Sequence, residues 1–388
     1  MAGFLEITET PKEAELLNLV ERTADELAPM EYEHYISRPR GPSRQVKDGL
    51  YKAGLYNLHK EIGLGEELAN IKLMTRTAAR LAKIGLSPVL LLLSHSLQAS
   101  LVISRSRGGE ESLQRALRRG GSESLLAYVG PPFASAVYGH DDRGTDLEIA
   151  PQPIFNAVDA YAFVVLARDR SEDRWAVFVL DKEQVEVLDR MESRMGLLST
   201  DLAIVKASLR GLPKENVATG AAQGNLPRII TVLSVAWLVG ALAGVIKETM
   251  LSSLERAQER VQWGKPIIEH ALVKRHLAGM VKGYQIVDAL AFYLCEQVAK
   301  NKDQTKHVEG AACLMVQEGA ALRTALELAA TTTDSAVQIF GGFGYSLLSP
   351  IARHYLDTQA LWTLFETTLE FDRRFYEAAR SLKGKEIS

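Results

Sequence analysis

The first third of the chain repeats apolar residues with the period of an α-helix. Residues 11–30 and 66–86 place apolar side chains at i, i+3, i+4 and i+7 positions, the pattern of a helix that buries one face. Residues 88–106 are apolar at most positions, which predicts a helix buried on nearly every side. The pattern therefore predicts an N-terminal helical domain over residues 1–122.

Short apolar runs replace this pattern in the middle of the chain. Segments rich in Val, Ile, Phe and Tyr, such as AYAFVVLAR and RWAVFVLD, are separated by polar clusters such as HDDRGTD and DRSEDR. Such runs between turn residues are typical of antiparallel strands and hairpins. The sequence therefore predicts a central β domain over residues 123–222.

Long helical patterns return after Asn225, where Asn can cap a helix and Pro227 suits its first turn. They cover about residues 226–262, 268–300, 306–333 and 356–381. We therefore predict a C-terminal helical bundle over residues 223–388 and, for the whole chain, a mostly helical α+β fold.

One apolar stretch, Ile229 to Ile246, is nearly long enough to span a membrane. It also contains Gly240 and Gly244, the spacing at which membrane helices pack closely. The helical pattern continues without a break through KETMLSSLERAQERVQ, where the apolar residues return to one face. This continuity favours a buried helix at a bundle or subunit interface over a membrane span.

Charge and cysteine content narrow the possible functions. The 388 residues include 45 Lys and Arg against 48 Asp and Glu, a formal net charge of −3. This balance argues against nucleic-acid binding and against anionic membrane surfaces, which require clustered positive charge. The two cysteines, Cys295 and Cys313, cannot form a disulfide framework, and the N-terminal stretch is acidic and amphipathic. We therefore expect a cytoplasmic protein.

The last third of the chain contains three distinctive sequence motifs: ERVQWGKPI (259–267), AVQIFGGFGYSLLSPIARHYLD (336–357) and LFETTLEFDRR (364–374). They strongly resemble the acyl-CoA dehydrogenase family, and SHSL, RMGLLSTD and LPKENVATG resemble it more loosely. The resemblance implies an acyl-CoA dehydrogenase-like fold: an N-terminal helical domain, a central β-barrel-like domain and a C-terminal four-helix bundle. It also implies a tetramer with FAD between subunits.

Several residues are candidates for binding the cofactor. Arg260 offers a guanidinium for a pyrophosphate and Trp263 a flat ring for stacking, although a surface Arg and a core Trp are the plainer interpretation. The glycines after Gln338 permit close backbone approach, although they could simply end a helix. The resemblance implies that Arg260, Trp263, Gln338 and Gly342 form the site for the ADP half of a neighbouring subunit's FAD, and that Gly341 and Thr368 also bind the cofactor.

Glu366 is the candidate catalytic residue. The resemblance implies that this Glu removes the α-proton of an acyl-CoA thioester while the β-hydride goes to the flavin. Its apolar neighbours, such as Trp362 and Phe365, would raise its pKa, as a general base of this kind requires. A solvated helix Glu is the alternative. The family reads Tyr-Glu-Gly-Thr where this chain has Phe-Glu-Thr-Thr, and Ser234 occupies the other position at which some members carry the base.

The flavin-ring side departs from the family pattern. Val129 stands where the family has a Thr that donates to the flavin, and Phe155 where it has a hydroxyl residue. A Phe cannot donate that hydrogen bond. Ser135 is retained, and the resemblance implies that it lies near the CoA. His95, within a Leu-rich helix, is interpreted as a hydrogen-bonded packing residue, and no metal site is expected.

Two functions follow from these observations. The first is an acyl-CoA dehydrogenase-type flavoprotein that dehydrogenates a CoA thioester at its α,β-carbons and passes electrons to an electron-transfer flavoprotein. The second is a largely non-catalytic partner subunit, which lends FAD contacts in trans to another acyl-CoA dehydrogenase-like chain. The resemblance leaves both a homotetramer and a heterotetramer open.

Overall fold

The structure is a computed structural model, and it describes residues 10–37, 41–61, 71–106, 121–141, 144–172, 174–212, 217–218, 226–300, 308–366 and 380. Along the sequence, helices precede and follow the strands of a central sheet, which confirms the predicted mostly helical α+β fold.

The N-terminal helices are formed by amphipathic segments with clear caps. At the start of α1, Thr10 accepts a hydrogen bond from the Glu13 amide and the Glu13 side chain accepts one from the Thr10 amide, a capping box. Helix α5 continues into an eight-residue π-helical stretch, Leu93–Ser100, before α6. The bounds are α1 (Pro11–Ile36), α2 (Arg44–Lys52), α3 (Leu58–Glu61), α4 (Ile71–Leu81), α5 (Leu86–Leu92) and α6 (Leu101–Ser104).

Eight strands form one sheet in the order β6-β7-β3-β2-β4-β5-β8, with β1 paired parallel to β4. Most other pairs are antiparallel, as the short runs and turn clusters predict. The bounds are β1 (Leu126–Val129), β2 (Val137–Asp141), β3 (Gly144–Phe155), β4 (Ala162–Asp169), β5 (Trp175–Asp181), β6 (Glu186–Asp189), β7 (Leu202–Leu212) and β8 (Val217–Ala218).

Side chains on these strands alternate between two apolar cores. In β1, Leu126 and Tyr128 pack with the helices, whereas Ala127 and Val129 pack inside the sheet domain. This follows from the two-residue period of a strand, which sends successive side chains to opposite faces. The helical core and the sheet core therefore meet at a single layer of strands.

The π-helical stretch fixes the helices to the sheet. His95 Nδ1 accepts a hydrogen bond from the Leu126 amide at 3.0 Å, and Ser94 Oγ accepts one from the Tyr128 amide at 3.2 Å. His95 is buried, and burial lowers its pKa to about 3. The interpretation of His95 as a hydrogen-bonded packing residue is therefore confirmed.

The C-terminal bundle consists of α7 (Leu226–Glu259), α8 (Ala271–Lys300), α9 (Val308–Phe340) and α10 (Pro350–Glu366). A two-stranded hairpin, β9 (Val261–Gln262) and β10 (Lys265–Pro266), joins the first two helices. Helices α7, α8 and α9 pack against one another, and α10 packs on α9. Helix α9 runs seven residues beyond the predicted end because no helix breaker precedes Gly341, and α10 begins earlier because Pro350 suits a first helical turn.

Gly240 and Gly244 lie where α7 crosses α4 within the same chain. A Cβ atom at Gly240 would overlap the Thr75 carbonyl oxygen, and one at Gly244 would overlap the Ala79 carbonyl oxygen. The two backbones are therefore in contact, which only glycine permits. The predicted burial of this helix in a bundle interface is confirmed.

Two described helical stretches, residues 86–104 and α7, are long and apolar enough to cross a membrane by length and composition. In their most apolar windows, 100% and 94% of the residues are buried inside the protein. Packing in the core accounts for the apolar character of both stretches.

Candidate functional site

Arg260 and Trp263 project from the end of α7 and the hairpin that follows it. Trp263 and Gly264 have φ values of 50° and 78°, as in the two-residue turns that best fit a twisted hairpin. The turn leaves the Trp263 ring 89% exposed, with its edge against His270 at a centroid distance of 5.5 Å. Arg260 is exposed as well. Trp263 is thus a surface residue, not the core residue of the plainer interpretation.

Gln338 lies exposed on the last turn of α9, just before the 3₁₀ turn Gly341–Tyr345. Gly341 has a φ of 60°, a conformation that glycine adopts without strain. A Cβ atom built on Gly342 would meet no neighbour within 4 Å, so the surface above this residue is open. We call Arg260, Trp263, Gln338, Gly341 and Gly342 the outer site.

A small apolar cluster holds the two parts of the outer site at one end of the bundle. It joins the end of α7 to the hairpin, to the last turns of α9 and to the start of α10. Its buried members are Ala257, Ile267, Met280, Ala336, Val337, Ile339 and Ile351. Because this cluster flanks Arg260 on one side and Gln338 on the other, both residues open to the same end surface.

A cation–aromatic stack reinforces this arrangement. The Arg256 guanidinium lies over the Phe340 ring at 5.9 Å from its centroid, and Phe340 stacks on Phe343 at 6.4 Å. The stack joins the last turn of α7 to the Gly341–Tyr345 turn. It was not predicted, because residues 84 positions apart in sequence give no local signal of contact.

A cleft of about 930 Å³ lies beside the outer site, between the loop before β7 and the bundle. Its lining combines apolar and charged side chains, namely Glu192, Arg194, Met195, Leu198, Asp334, Val337, Tyr345, Leu347, Tyr355 and Leu356, among others. The Arg194 guanidinium donates to the carbonyl groups of Met191 and Leu197. This arginine therefore holds the loop, whereas Arg260 at the neighbouring outer site is exposed.

A second region, which we call the inner junction, lies where the loop after β1 meets the end of α10. The rings of Phe133 and Phe365 are in contact there, with centroids 4.6 Å apart. Phe155 and Phe365 are buried in the helical core, whereas Val129 is fully buried in the sheet core. These four side chains offer no hydrogen-bond donor to a ligand.

Three predicted site residues remain, namely Glu366, Thr368 and Ser135. Glu366 is the last residue of α10, and its side chain lies outside the described residues, as does the whole of Thr368. Buried Leu361 and Phe365 precede Glu366 on the helix. Ser135 is exposed, and its backbone N–H and C=O are both hydrogen-bonded to the Gln152 side chain, at 2.8 and 2.7 Å.

The sequence pattern did not predict a buried acidic pair on α1 and α10. Asp357 accepts hydrogen bonds from the Tyr35 hydroxyl at 2.8 Å and the Leu197 amide at 2.6 Å, and so joins α10 to α1 and to the sheet domain. Burial raises the pKa of Asp357 to about 6 and that of nearby Glu31 to about 7. Acidic residues on amphipathic helices usually face solvent, so the pattern alone gave no signal of this pair.

Comparisons with known proteins agree with this architecture. The family profile described as "Acyl-CoA dehydrogenase, C-terminal domain" matches residues 235–371. The short-chain specific acyl-CoA dehydrogenase of Megasphaera elsdenii is 28% identical over 218 residues, 55% of this chain and 54% of the relative. The mitochondrial very long-chain specific acyl-CoA dehydrogenase of Bos taurus is 26% identical over 247 residues, 61% of this chain and 36% of the relative. The match thus spans about half or less of these relatives.

Solved structures share the fold over nearly the whole chain. A glutaryl-CoA dehydrogenase from Mycobacterium smegmatis, in complex with FADH2, superposes with a TM-score of 0.74 at 14% identity, covering 97% of this chain and 96% of that one. A chain of the ChsE4-ChsE5 complex from Mycobacterium tuberculosis gives 0.71 at 19% identity, with coverage of 97% and 99%. Profile, relatives and fold agree with the motifs around the outer site: residues 235–371 match the C-terminal domain of acyl-CoA dehydrogenases, and the whole chain shares the fold of solved members of that family.

Proposed function

We propose that this chain is a subunit of an acyl-CoA dehydrogenase assembly that oxidises a CoA thioester at its α,β-carbons, with FAD bound partly at the outer site. The observation that carries the proposal is the exposure of Arg260, Trp263 and Gln338 together at one end of the bundle. A site that opens outward from its own protomer is suited to a cofactor held by a neighbouring subunit.

The outer site fits the ADP half of FAD. A guanidinium matches the geometry of a diphosphate and forms charge-assisted hydrogen bonds with it. The exposed Trp263 ring offers a flat surface for stacking, and the open surface above Gly342 lets a ligand approach the backbone. Bound FAD would supply the hydride acceptor of the reaction, and an electron-transfer flavoprotein is the proposed electron acceptor of the assembly.

Glu366 is the proposed proton acceptor of this chain. The helix that ends at Glu366 is anchored by Leu361 and Phe365, both buried in the helical core. An apolar setting would raise the pKa of a carboxyl group and make it a better base for a weak carbon acid, as the proposal requires of Glu366. Ser135, exposed on the rim after β1, is the proposed contact to the CoA.

The second candidate function is that of a partner subunit, which lends the outer site but performs little chemistry itself. The inner junction favours it, because the side chains of Val129, Phe133 and Phe155 provide no donor for a flavin ring. A related complex of two different chains, ChsE4-ChsE5, shares this fold. A chain purified alone without yellow colour, but coloured when made with a related chain, would support this candidate.

The Arg260→Ala variant tests the outer site. Loss of a charge-assisted phosphate contact costs about 1.5–3 kcal/mol, so we expect FAD affinity to fall by roughly ten- to a hundredfold. The measurement is flavin absorbance per subunit of the purified assembly after dialysis. Arg323→Ala, an exposed arginine on α9 paired with Glu327, is the control and should retain full flavin content. Equal flavin content in both variants would contradict the assignment.

A further inference from the structure

Arg256 lies one helical turn before Arg260, on the last turn of α7. The Arg260 amide donates to the Arg256 carbonyl oxygen at 3.0 Å, so the helix is intact between them and both side chains leave the same face. Arg260 is exposed, whereas Arg256 is half-buried beneath the Gly341–Tyr345 turn. The two arginines therefore have different surroundings and different tasks.

The Arg256 guanidinium contacts the face of the Phe340 ring. Its central carbon lies 5.9 Å from the ring centroid, within the range of a cation–π interaction. The buried Nε atom has no hydrogen-bond partner among the described residues. An arginine keeps its charge at all ordinary pH values. The Phe340 ring thus stabilises this cation from one face of the guanidinium.

Phe340 is the residue from which the Gly341–Tyr345 turn begins. Its ring stacks on Phe343 inside the turn, with an angle of 23° between the ring planes. Gly344 lies so close to Val337 and Phe340 that a Cβ atom there would come within 3.1 Å of the Phe340 side chain. Phe340 therefore packs against the turn through both its ring and its Cβ atom, so a displacement of this residue would be passed to the backbone of the turn that carries Gly342.

We propose that Arg256 is a positioning residue of the outer site: by holding Phe340 against the end of α7, it sets Gly342 and Gln338 at the correct separation from Arg260. This inference rests on the proposed FAD-binding function and adds a residue outside the predicted ligand set. Arg256 acts through Phe340 and not by contact with the cofactor. Its loss should weaken binding of the ADP moiety without removing any ligand group.

The test measures FAD release from the purified assembly by flavin fluorescence, and ADP binding by calorimetry. Arg256→Met retains the length of the side chain but removes the cation, and we expect ADP and FAD affinity to fall roughly three- to tenfold. Arg256→Lys restores a cation over the ring and should recover affinity to within about twofold of the parent. A purely structural role would not distinguish these two variants in this way.

A double-mutant cycle tests the route through Phe340. Phe340→Leu should weaken binding about as much as Arg256→Met, and the double variant should be no weaker than either single one, because both break the same stack. Additive losses would overturn the proposal. The ranking of the variants by unfolding temperature should differ from their ranking by loss of affinity. If the two rankings matched, the proposal would also be overturned.

Arg275→Met is the matched control, since Arg275 is an exposed arginine near the start of α8 at the same end of the bundle. An equal loss of affinity in this variant would show an effect of overall charge and overturn the proposal. If Arg260→Ala weakens binding and Arg256→Met does not, only the role of Arg256 is wrong. If neither variant affects ADP or FAD, the proposed function itself fails.

Discussion

The outer site exposes its aromatic and polar side chains, whereas the inner junction of the same chain packs its aromatic side chains together. At the outer site, a tryptophan is 89% exposed and an arginine and a glutamine face solvent. At the inner junction, Phe133 and Phe365 fill the space between the sheet loop and α10. Burying apolar side chains drives folding, whereas exposing a large aromatic ring contributes nothing to the free energy of folding. The difference shows that aromatic packing stabilises the inner junction, and it supports the proposal that the outer site serves a ligand.

This contrast bears directly on the two candidate functions. A chain with a complete outer site can supply contacts to an FAD molecule whose flavin ring is bound by another chain. A chain that also carries a working base must admit substrate near Glu366, next to the packed Phe365. Variants of each region separate these requirements, and the largest effect is expected at Glu366.

The Glu366→Gln variant tests whether the inner junction supports catalysis. It keeps the size of the side chain and removes the proton acceptor, so turnover of an acyl-CoA thioester should fall by about 10²–10⁴-fold or more, because general-base catalysis contributes on that order. Reduction of an artificial electron acceptor measures the rate, and acyl-CoA binding should persist. Glu327→Gln, an exposed residue of α9, is the control. A rate within a few-fold of the parent would assign the chemistry to another chain.

Truncation of one aromatic side chain in each region compares what the two regions contribute to the free energy of unfolding. Phe365→Ala should lower the free energy of unfolding by about 3–5 kcal/mol, because it opens a cavity in the core. Trp263→Ala should change it by less than about 0.5 kcal/mol, since the ring is exposed, yet it should weaken FAD binding. Urea unfolding and flavin titration measure the two quantities. Similar destabilisation by both substitutions would remove the contrast between the regions.

The helices and strands follow from sequence because their signals are local. The apolar period predicts α1 and α7, and the short runs predict β4 and β5. The motif around Trp263 predicts a cofactor site only through its resemblance to the acyl-CoA dehydrogenase family, because an arginine and a tryptophan at this spacing have no such meaning by themselves. By contrast, the stack of Arg256 on Phe340 depends on where two distant helices end. The burial of Glu31 likewise depends on the packing of α1 against the rest of the protein, which no window of sequence contains.

Buried Glu31 gives an effect that appears only as the pH rises. Burial raises its pKa from 4.5 to about 7, with Arg353 opposing and Asp357 adding to the shift. Between these pH values, the folded protein therefore retains a proton that the unfolded chain has lost. The stability that this proton contributes is complete below about pH 4.5 and is lost as the pH rises through 7. The loss amounts to roughly 3 kcal/mol at most, at 1.36 kcal/mol per pKa unit.

The Glu31→Gln variant should remove this dependence. We expect it to be more stable than the parent at pH 8 and to lose that advantage by pH 5, as measured by urea unfolding across the range. Glu33→Gln, an exposed neighbour on α1, should keep the pH dependence of the parent. A constant difference between Glu31→Gln and the parent at every pH would contradict the role of burial.

The contact between the π-helical stretch and β1 has a consequence for how this protein can be divided. Cut from its helices, the sheet domain would expose the Leu126 and Tyr128 amides, which His95 and Ser94 now satisfy. It would also expose the apolar face that carries Leu126, Val164 and Leu166. An open strand edge beside an apolar face is a template for aggregation. We therefore expect the sheet domain to aggregate when it is expressed alone, and a soluble fragment to require the helical segment that bears His95.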